Sequence, residues 1–422
     1  MKNVYQIRNE QGGYCVLPSD YAMQEIKNPN RVGIVVYLYY EEGMEAYLKY
    51  LKKLPQGVDV MLISSNENVL ERMKQMVLPG INVQIVSKIN RGRDVAAFLV
   101  TAKEYVQSHE YVAFLHDKKE KYQLYEEDIF LWAHSMWDNT VRCEEYISNV
   151  IHMFDCNREL GLALPVIDIG KYMMIGFQYP HVGWMENYKN TKRLSEELHL
   201  NCNLEKEFPP ISYGTVFWCR TKALKKLLDK NWRYEDFQEE PMDDDGTISH
   251  AIERIFPYVA QDAGFKTCMI MNDVFASGYL GKLHATMDKL WSKAREIAGI
   301  YYPYQISNDE DRSRLKTFCQ ENSQIYIYGA GKIGGACYTY MRKIVGEPVT
   351  GFIDKNKHGQ TKNGLPIVTL EEVQAMKDAG IIVAVGAALM GEVLEEFKEL
   401  QIKKYITYLL DFSNTEPKDN AK

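Results

Sequence analysis

The chain has 422 residues, 46% of them hydrophobic and 25% charged, which excludes disorder, collagen and coiled coil as overall classes and leaves room for two domains. A formal net charge of -7 argues against nucleic acid as a partner, although a local basic groove for phosphate is compatible with it. The eight cysteines (Cys15, Cys143, Cys156, Cys202, Cys219, Cys268, Cys319, Cys337) contain no Cys-x-x-Cys pair, so reduced thiols in a cytoplasmic protein are expected, with neither a disulfide framework nor a structural metal. No basic stretch followed by an apolar core opens the chain, and no apolar run reaches the ~18 residues of a membrane span, so any membrane contact is expected to be peripheral.

Residues 1–30 read as an N-terminal extension, after which strands and helices alternate over residues 31–280. Residues 32–40 form an unbroken apolar run, the pattern of a strand buried on both faces. A helix follows on the spacing of Met44, Tyr47, Leu48, Leu51 and Leu54, then a strand over 58–63 ending at Ser64-Ser65-Asn66, and a helix over 69–77. The strand at 83–86 runs into Asn90-Arg91-Gly92-Arg93-Asp94, and residues 95–100 resume a helix-like pattern. The next strand, 111–115, stops abruptly at His116-Asp117-Lys118-Lys119. This βαβαβ order favours a parallel sheet covered by helices. Ligands of such sheets bind beyond the carboxyl ends of the strands, so two polar strand ends point to a charged ligand.

Further strands are expected at 162–166 and 215–218, separated by a segment, 172–208, rich in Tyr, His, Asn and Pro and expected to be irregular and to touch substrate. A helix over 222–228 precedes Asp243-Asp244-Asp245-Gly246-Thr247, which introduces a helix over 248–256 stopped by Pro257. Ile248, Ala251, Ile252 and Ile255 form its buried stripe, leaving Thr247, His250 and Arg254 on another face. One aspartate suffices as a cap; three beside a His/Arg face point either to a cap that complements the helix dipole or to a general base that holds a substrate hydroxyl.

Residues 281–322 read as a linker, helical through Met287, Leu290, Trp291, Ala294 and Ile297 and then hinged at the polar residues 308–312. Residues 323–422 read as a small Rossmann-like domain, with strands at 324–328, 349–353 and 381–385. Gly329, Gly331 and Gly334 allow backbone to approach a pyrophosphate, and Asp354 stands where a ribose-binding carboxylate would be. The unit lacks an obvious second half, and the same glycines pack a helix against a strand. Structural, sugar-nucleotide-sensing and auxiliary-nucleotide roles are all open. An NAD-dependent sugar-nucleotide-modifying enzyme would need a Tyr/Lys or His base that this unit does not show.

Residues 32–40, the loop from Asn90 to Asp94, Phe114-Leu115-His116-Asp117-Lys118-Lys119, Gly214-Thr215-Val216-Phe217-Trp218 with Arg220, and Asp245-Gly246-Thr247 through His250-Ala251-Ile252-Glu253-Arg254 together resemble the rhamnan synthesis protein F family in order and chemistry. The resemblance implies a bacterial glycosyltransferase of cell-wall and cell-surface polysaccharide synthesis, with a GT-A-like domain in which a nucleotide-binding half precedes an acceptor half. The donor it implies is dTDP-rhamnose or a UDP-sugar, and the acceptor a polysaccharide or lipid-linked glycan. Its partners would be other polysaccharide-assembly proteins, at the inner face of the cell membrane. Carried onto this chain, Asn66, Arg91, Arg93 and Asp94 would face base and ribose, and His116, Asp117, Lys118 and Lys119 the diphosphate. Trp218, Glu253 and Arg254 would lie on the acceptor side. The catalytic base would come from Asp243, Asp244 or Asp245, with Asp245 the first choice and His250 beside it.

GT-A transferases commonly end the corresponding strand with Asp-x-Asp, whose carboxylates hold a divalent cation. Here only Asp117 remains, so the lysines and His116 are expected to neutralise the leaving diphosphate with no metal or other cofactor required. The alternative for Lys118 and Lys119 is a solvated cluster continuing into Glu120-Lys121. A non-catalytic sugar-nucleotide-binding scaffold is compatible with the same motifs.

Overall fold

A computed structural model describes residues 13–119, 126–166, 183–206, 209–211, 214–300 and 309–408, and the chain divides into two units, Met1–Leu280 and Gly281–Lys422. The first is built on eight strands: β1 (Tyr14–Leu17), β2 (Val32–Tyr37), β3 (Asp59–Ser64), β4 (Asn82–Ser87), β5 (Tyr111–His116), β6 (Leu160–Pro165), β7 (Phe217–Arg220) and β8 (Lys266–Asn272). Their order is β1-β8-β6-β7-β5-β2-β3-β4, with β7 antiparallel to β5 and β6 and every other pairing parallel.

The apolar runs of β2 and β5 arise because both faces of the sheet are covered. Ile34, Val36, Ala113 and Leu115 enter one core with helices α1 (Met44–Leu51) and α2 (Glu67–Lys74), while Val35, Val112 and Phe114 enter the other with Ala251, Ile252 and Ile255. From β2 the chain steps outward to β3 and β4, then returns to β5 on the opposite side of β2. In open α/β sheets such a reversal is where the ligand crevice lies, here at the carboxyl ends of β2 and β5.

Packing overrides several local signals. The expected N-terminal extension contributes β1, which pairs Tyr14 with Met269 at the sheet edge; only Leu17 of its four residues is buried, so no apolar run marked it. The helix expected to stop at Pro257 runs from Ile248 to Asp262. Proline removes one backbone bond at a cost of ~3 kcal/mol, offset here by burial of Phe256, Tyr258, Val259 and Ala260. Within the segment expected to be irregular, Tyr188–Glu197 is a helix that buries Thr191, Leu194 and Ser195; residues 167–182, 207 and 208 lie outside the described ones. β7 begins two residues late because Gly214 and Thr215 hold left-handed backbone (φ +88° and +54°). The helix expected over 222–228 is helical throughout, as a 3-10 turn, Thr221–Leu224, followed by an α-helix, Lys225–Asp229.

In the second unit, the expected linker residues Leu315 and Cys319 belong to the core, with Trp291 and Ala294 packed against it. The hinge expected at 308–312 is helical from Asp309 to Gln320, with residue 308 outside the described ones. The second sheet contains β9 (Gln324–Tyr328), β10 (Gly351–Ile353), β11 (Thr361–Lys362), β12 (Leu365–Val368), β13 (Ala379–Val383) and β14 (Tyr405–Thr407). Its order is β11-β12-β10-β9-β13-β14, parallel except for β11. Among the described residues no helix is long and apolar enough to cross a membrane.

Candidate functional site

The floor of the crevice is Asp117, which follows β5 and is buried. Its Oδ2 accepts the N–H groups of Tyr39 and Tyr40 at 2.8 and 2.7 Å, tying the end of β2 to the end of β5. Burial nevertheless raises its carboxyl to about 6, against the pull of those two bonds. His116 is fixed by two carbonyl oxygens, with Nδ1 2.7 Å from that of Asp117 and Nε2 hydrogen-bonded to that of Gly214; Asp94 Oδ2 lies 3.8 Å from Nε2. The lysines then diverge. Lys118 Nζ stands 4.0 Å from the Trp132 ring centroid, whereas Lys119 pairs with Glu42 near the surface.

The neighbouring strand ends supply the second wall. Asn66 caps α2, its Oδ1 accepting from Asn68 and Val69 while its Nδ2 donates to the Tyr39 carbonyl at 3.0 Å. After β4, Lys88 is buried with Nζ 3.1 Å from the Arg91 carbonyl and 4.9 Å from the Tyr37 ring centroid. Burial lowers its ammonium to about 8, with Asp94 and Glu240 opposing the shift. Sequence reasoning missed Lys88, although it stands one residue beyond β4, the position that drew notice to His116 after Leu115.

Gly92 (φ +68°) leaves room that no side chain would, since a Cβ there would come within 2.6 Å of Phe237. It lets two arginines grip residues 235–242. Arg91 donates to the Phe237 carbonyl at 2.8 Å and pairs with Glu239 at 3.0 Å, while Arg93 binds both carboxylate oxygens of Glu240 at 3.0 and 3.2 Å. Burial of Glu240, which would raise its carboxyl, is outweighed by the Arg93 bonds and the Met242 N–H, so the value falls. The clamp positions the segment that enters the aspartate run.

Helix α3 (Ile248–Asp262) is capped by Thr247, not by an aspartate. Asp243 and Asp244 are exposed, Asp243 accepting from Gln238 at 3.3 Å. Asp245 turns inward, where the Asn187 amide and the Glu186 N–H hold its two oxygens. Burial would raise its carboxyl, but the bonds from Asn187, Glu186 and Gly246 outweigh that and lower it. His250 Nδ1 lies 2.8 Å from the Thr247 hydroxyl. Burial lowers its imidazole, with Arg254 adding to the shift and the carboxylates of Glu253, Asp245 and Asp94 opposing it.

The two walls meet at one residue: the Gly214 carbonyl accepts from His116 and its N–H donates to Glu253 Oε1 at 2.9 Å. The structure thus gathers Asp94, His116, Asp117, His250 and Glu253, with Asp245 near His250, and leaves Asn66, Arg91 and Arg93 engaged by protein groups. Arg254 is buried behind them, donating to the Gly183 and His250 carbonyls at 3.1 and 3.0 Å. Trp218, expected on the acceptor side, is instead a core residue: it is fully buried, and its Nε1 donates to the Thr140 carbonyl at 2.9 Å. Arg93 (φ +44°) and Thr215 both hold left-handed backbone, which costs ~1–3 kcal/mol at such residues and lies here on either side of the crevice. Among the described residues no three His, Cys, Asp or Glu side chains form a metal-holding group.

Two curated proteins, from strains B100 and ATCC 33913 of Xanthomonas campestris pv. campestris and both described as uncharacterized protein WxcX, are 23% identical to this chain over 250 residues. The match covers 58% of this chain and 33% of theirs, so the chain spans about a third of the length of these relatives. Residues 1–265, which contain the whole crevice, match the family described as Rhamnan synthesis protein F, and the chain belongs to that family.

Proposed function

We propose that the first unit is a glycosyltransferase of polysaccharide assembly, moving a sugar, rhamnose first among the candidates, from a nucleotide-sugar donor to a cell-surface polysaccharide or lipid-linked glycan. The observation that carries this reading is the junction at Gly214, where His116, beside Asp94, meets Glu253, one turn from His250 on α3. A GT-A-like arrangement is supported by the parallel half β2–β5 preceding a half built from antiparallel β7 and α3. Work at the inner face of the membrane follows from the donor, since nucleotide sugars belong to the cytoplasm.

The donor diphosphate enters at the carboxyl ends of β2 and β5, with Lys118 supplying positive charge to the leaving group. The acceptor hydroxyl then loses its proton as its oxygen attacks the anomeric carbon, and the bond from that carbon to the diphosphate breaks. Of the carboxylates and imidazole at hand, His250 suits the proton best. Its lowered value keeps it in the basic form near pH 7; Nε2 offers its lone pair in the tautomer whose Nδ1 donates to the Thr247 hydroxyl, reached by giving up the Thr247 N–H that Nδ1 accepts at 3.4 Å in the capping box. Glu253 and Asp245 stabilise the imidazolium that results. Asp245 is the runner-up base, but two donors already hold it and make it weakly basic.

The test is release of nucleoside diphosphate from dTDP-rhamnose and from UDP- and GDP-sugars by the full chain, with a glycan acceptor present. Turnover with one donor is the expected result. Saturable donor binding with no turnover from any of them would replace the enzyme by a sugar-nucleotide-binding scaffold.

A further inference from the structure

The sugar-transfer reading leaves a cleft of about 890 Å³ in the second unit without a task. Its sheet repeats the topology of the first: from β9 the chain moves to β10 and β12 on one side and returns to β13 on the other. The cleft lies at the carboxyl ends of β9, β10 and β13, where loops bearing Gly331, Asp354 and Gly386 converge.

One wall suits an anion. A Cβ at Gly334 would lie 1.7 Å from the Gly329 carbonyl, so helix α4 (Lys332–Tyr340) can approach β9 only with glycine there. A Cβ at Gly331 would meet nothing within 4 Å, so that residue opens onto the cleft. No side chain caps α4, whose first-turn N–H groups lack intrahelical acceptors. Lys357 and Lys362 bring their ammonium groups to the same loop, 3.4 and 3.0 Å from the Ala330 carbonyl. Asp354 shapes the loop instead of standing open, its two oxygens accepting from Ala330 and Asn356 at 3.1 and 3.0 Å.

The other wall differs in chemistry. Helix α5 (Ala387–Glu399) lines it with Glu392 and Glu399, acceptors for hydroxyl groups, and with the apolar side chain of Leu389, which is exposed. Phosphate at one wall, a diol at the other and an apolar ring between them describe one class of ligand.

We propose that the second unit binds a nucleoside diphosphate group in this cleft, as the free nucleotide or as part of a sugar nucleotide or dinucleotide, independently of the first site. Gly331→Glu adds a carboxylate beside the anion wall, on a Cβ that meets nothing within 4 Å. Lys357→Glu, at a side chain 47% exposed, reverses a charge without touching the core.

Calorimetric titration of the full chain with UDP, dTDP, ADP and NAD reads the site directly. At least one of these is expected to bind with one equivalent whose affinity falls tenfold or more in both variants. UDP or dTDP identifies the ligand as a sugar nucleotide's diphosphate, and ADP with NAD as a dinucleotide's. Titrations unchanged by both substitutions would overturn the proposal without bearing on the first site, whose residues all precede Gly281; absence of binding by all four would overturn it as well and would also count against a UDP- or dTDP-sugar donor at the first site.

Discussion

Asp117→Asn separates a carboxylate that builds the crevice from one that works by its charge. The buried carboxyl stands at about 6 in the folded chain, against about 3.9 when unfolded. A carboxyl raised on folding binds its proton more tightly in the native state. Its contribution is therefore fully present below about pH 4, is lost as pH rises to about 6, and is constant above that. At 1.36 kcal/mol per pH unit the loss is about 3 kcal/mol. An asparagine Oδ1 accepts the Tyr39 and Tyr40 N–H groups equally well and carries no buried charge, but its amide donors lack an assured acceptor, at a cost of ~1 kcal/mol. The variant is thus expected to match or slightly trail the parent at pH 4.5 and to exceed it by about 2 kcal/mol at pH 8. Urea unfolding followed by tryptophan fluorescence reads the first unit selectively, since five of the six tryptophans precede residue 281. A stability difference that does not move toward the variant between the two pH values would refute the reasoning and show that the N–H bonds, not burial, dominate at Asp117.

His250→Gln keeps a polar side chain at the Thr247 cap while removing the base; turnover should fall by ~10²–10⁴ with donor affinity nearly unchanged, and the parent rate should decline as pH falls through the lowered imidazole value. Lys118→Ala should raise the KM for donor, and parent turnover should survive chelator; activity abolished by chelator and restored by manganese or magnesium would make Asp117 a metal ligand instead. Arg93→Ala breaks the two bonds to Glu240 and should cost ~1–2 kcal/mol, with faster hydrogen exchange over residues 238–246 as the specific readout.

The parallel half of the first unit was legible because burial on both faces writes itself as uninterrupted apolar runs, as in β2 and β5. Their polar continuations were legible for the same reason: an ionisable group directly after such a run marks the end of the strand, even where, as at His116 and Asp117, that group is itself buried. The junction between the walls was not. Glu253 meets the Gly214 N–H across 39 residues, and that contact depends on left-handed backbone at Gly214 and Thr215, which no periodicity reports. The cap of α3 was misread because three aspartates outshone Thr247, whose partner His250 replaces the Glu or Gln of the usual capping box. Edge strand β1 and the passage of α3 through Pro257 are tertiary effects, set by β8 and by the buried residues around Pro257 rather than by local propensity.

Hydrogen exchange of the full chain, with and without saturating dTDP-rhamnose, UDP-sugars or GDP-sugars, tests the central claim most directly. A nucleotide-sugar site at the β2–β5 crevice predicts protection of residues 38–40, 88–94, 116–119 and 214–218 by one of these donors. Protection confined to residues 329–334, or none anywhere with any donor, would contradict it.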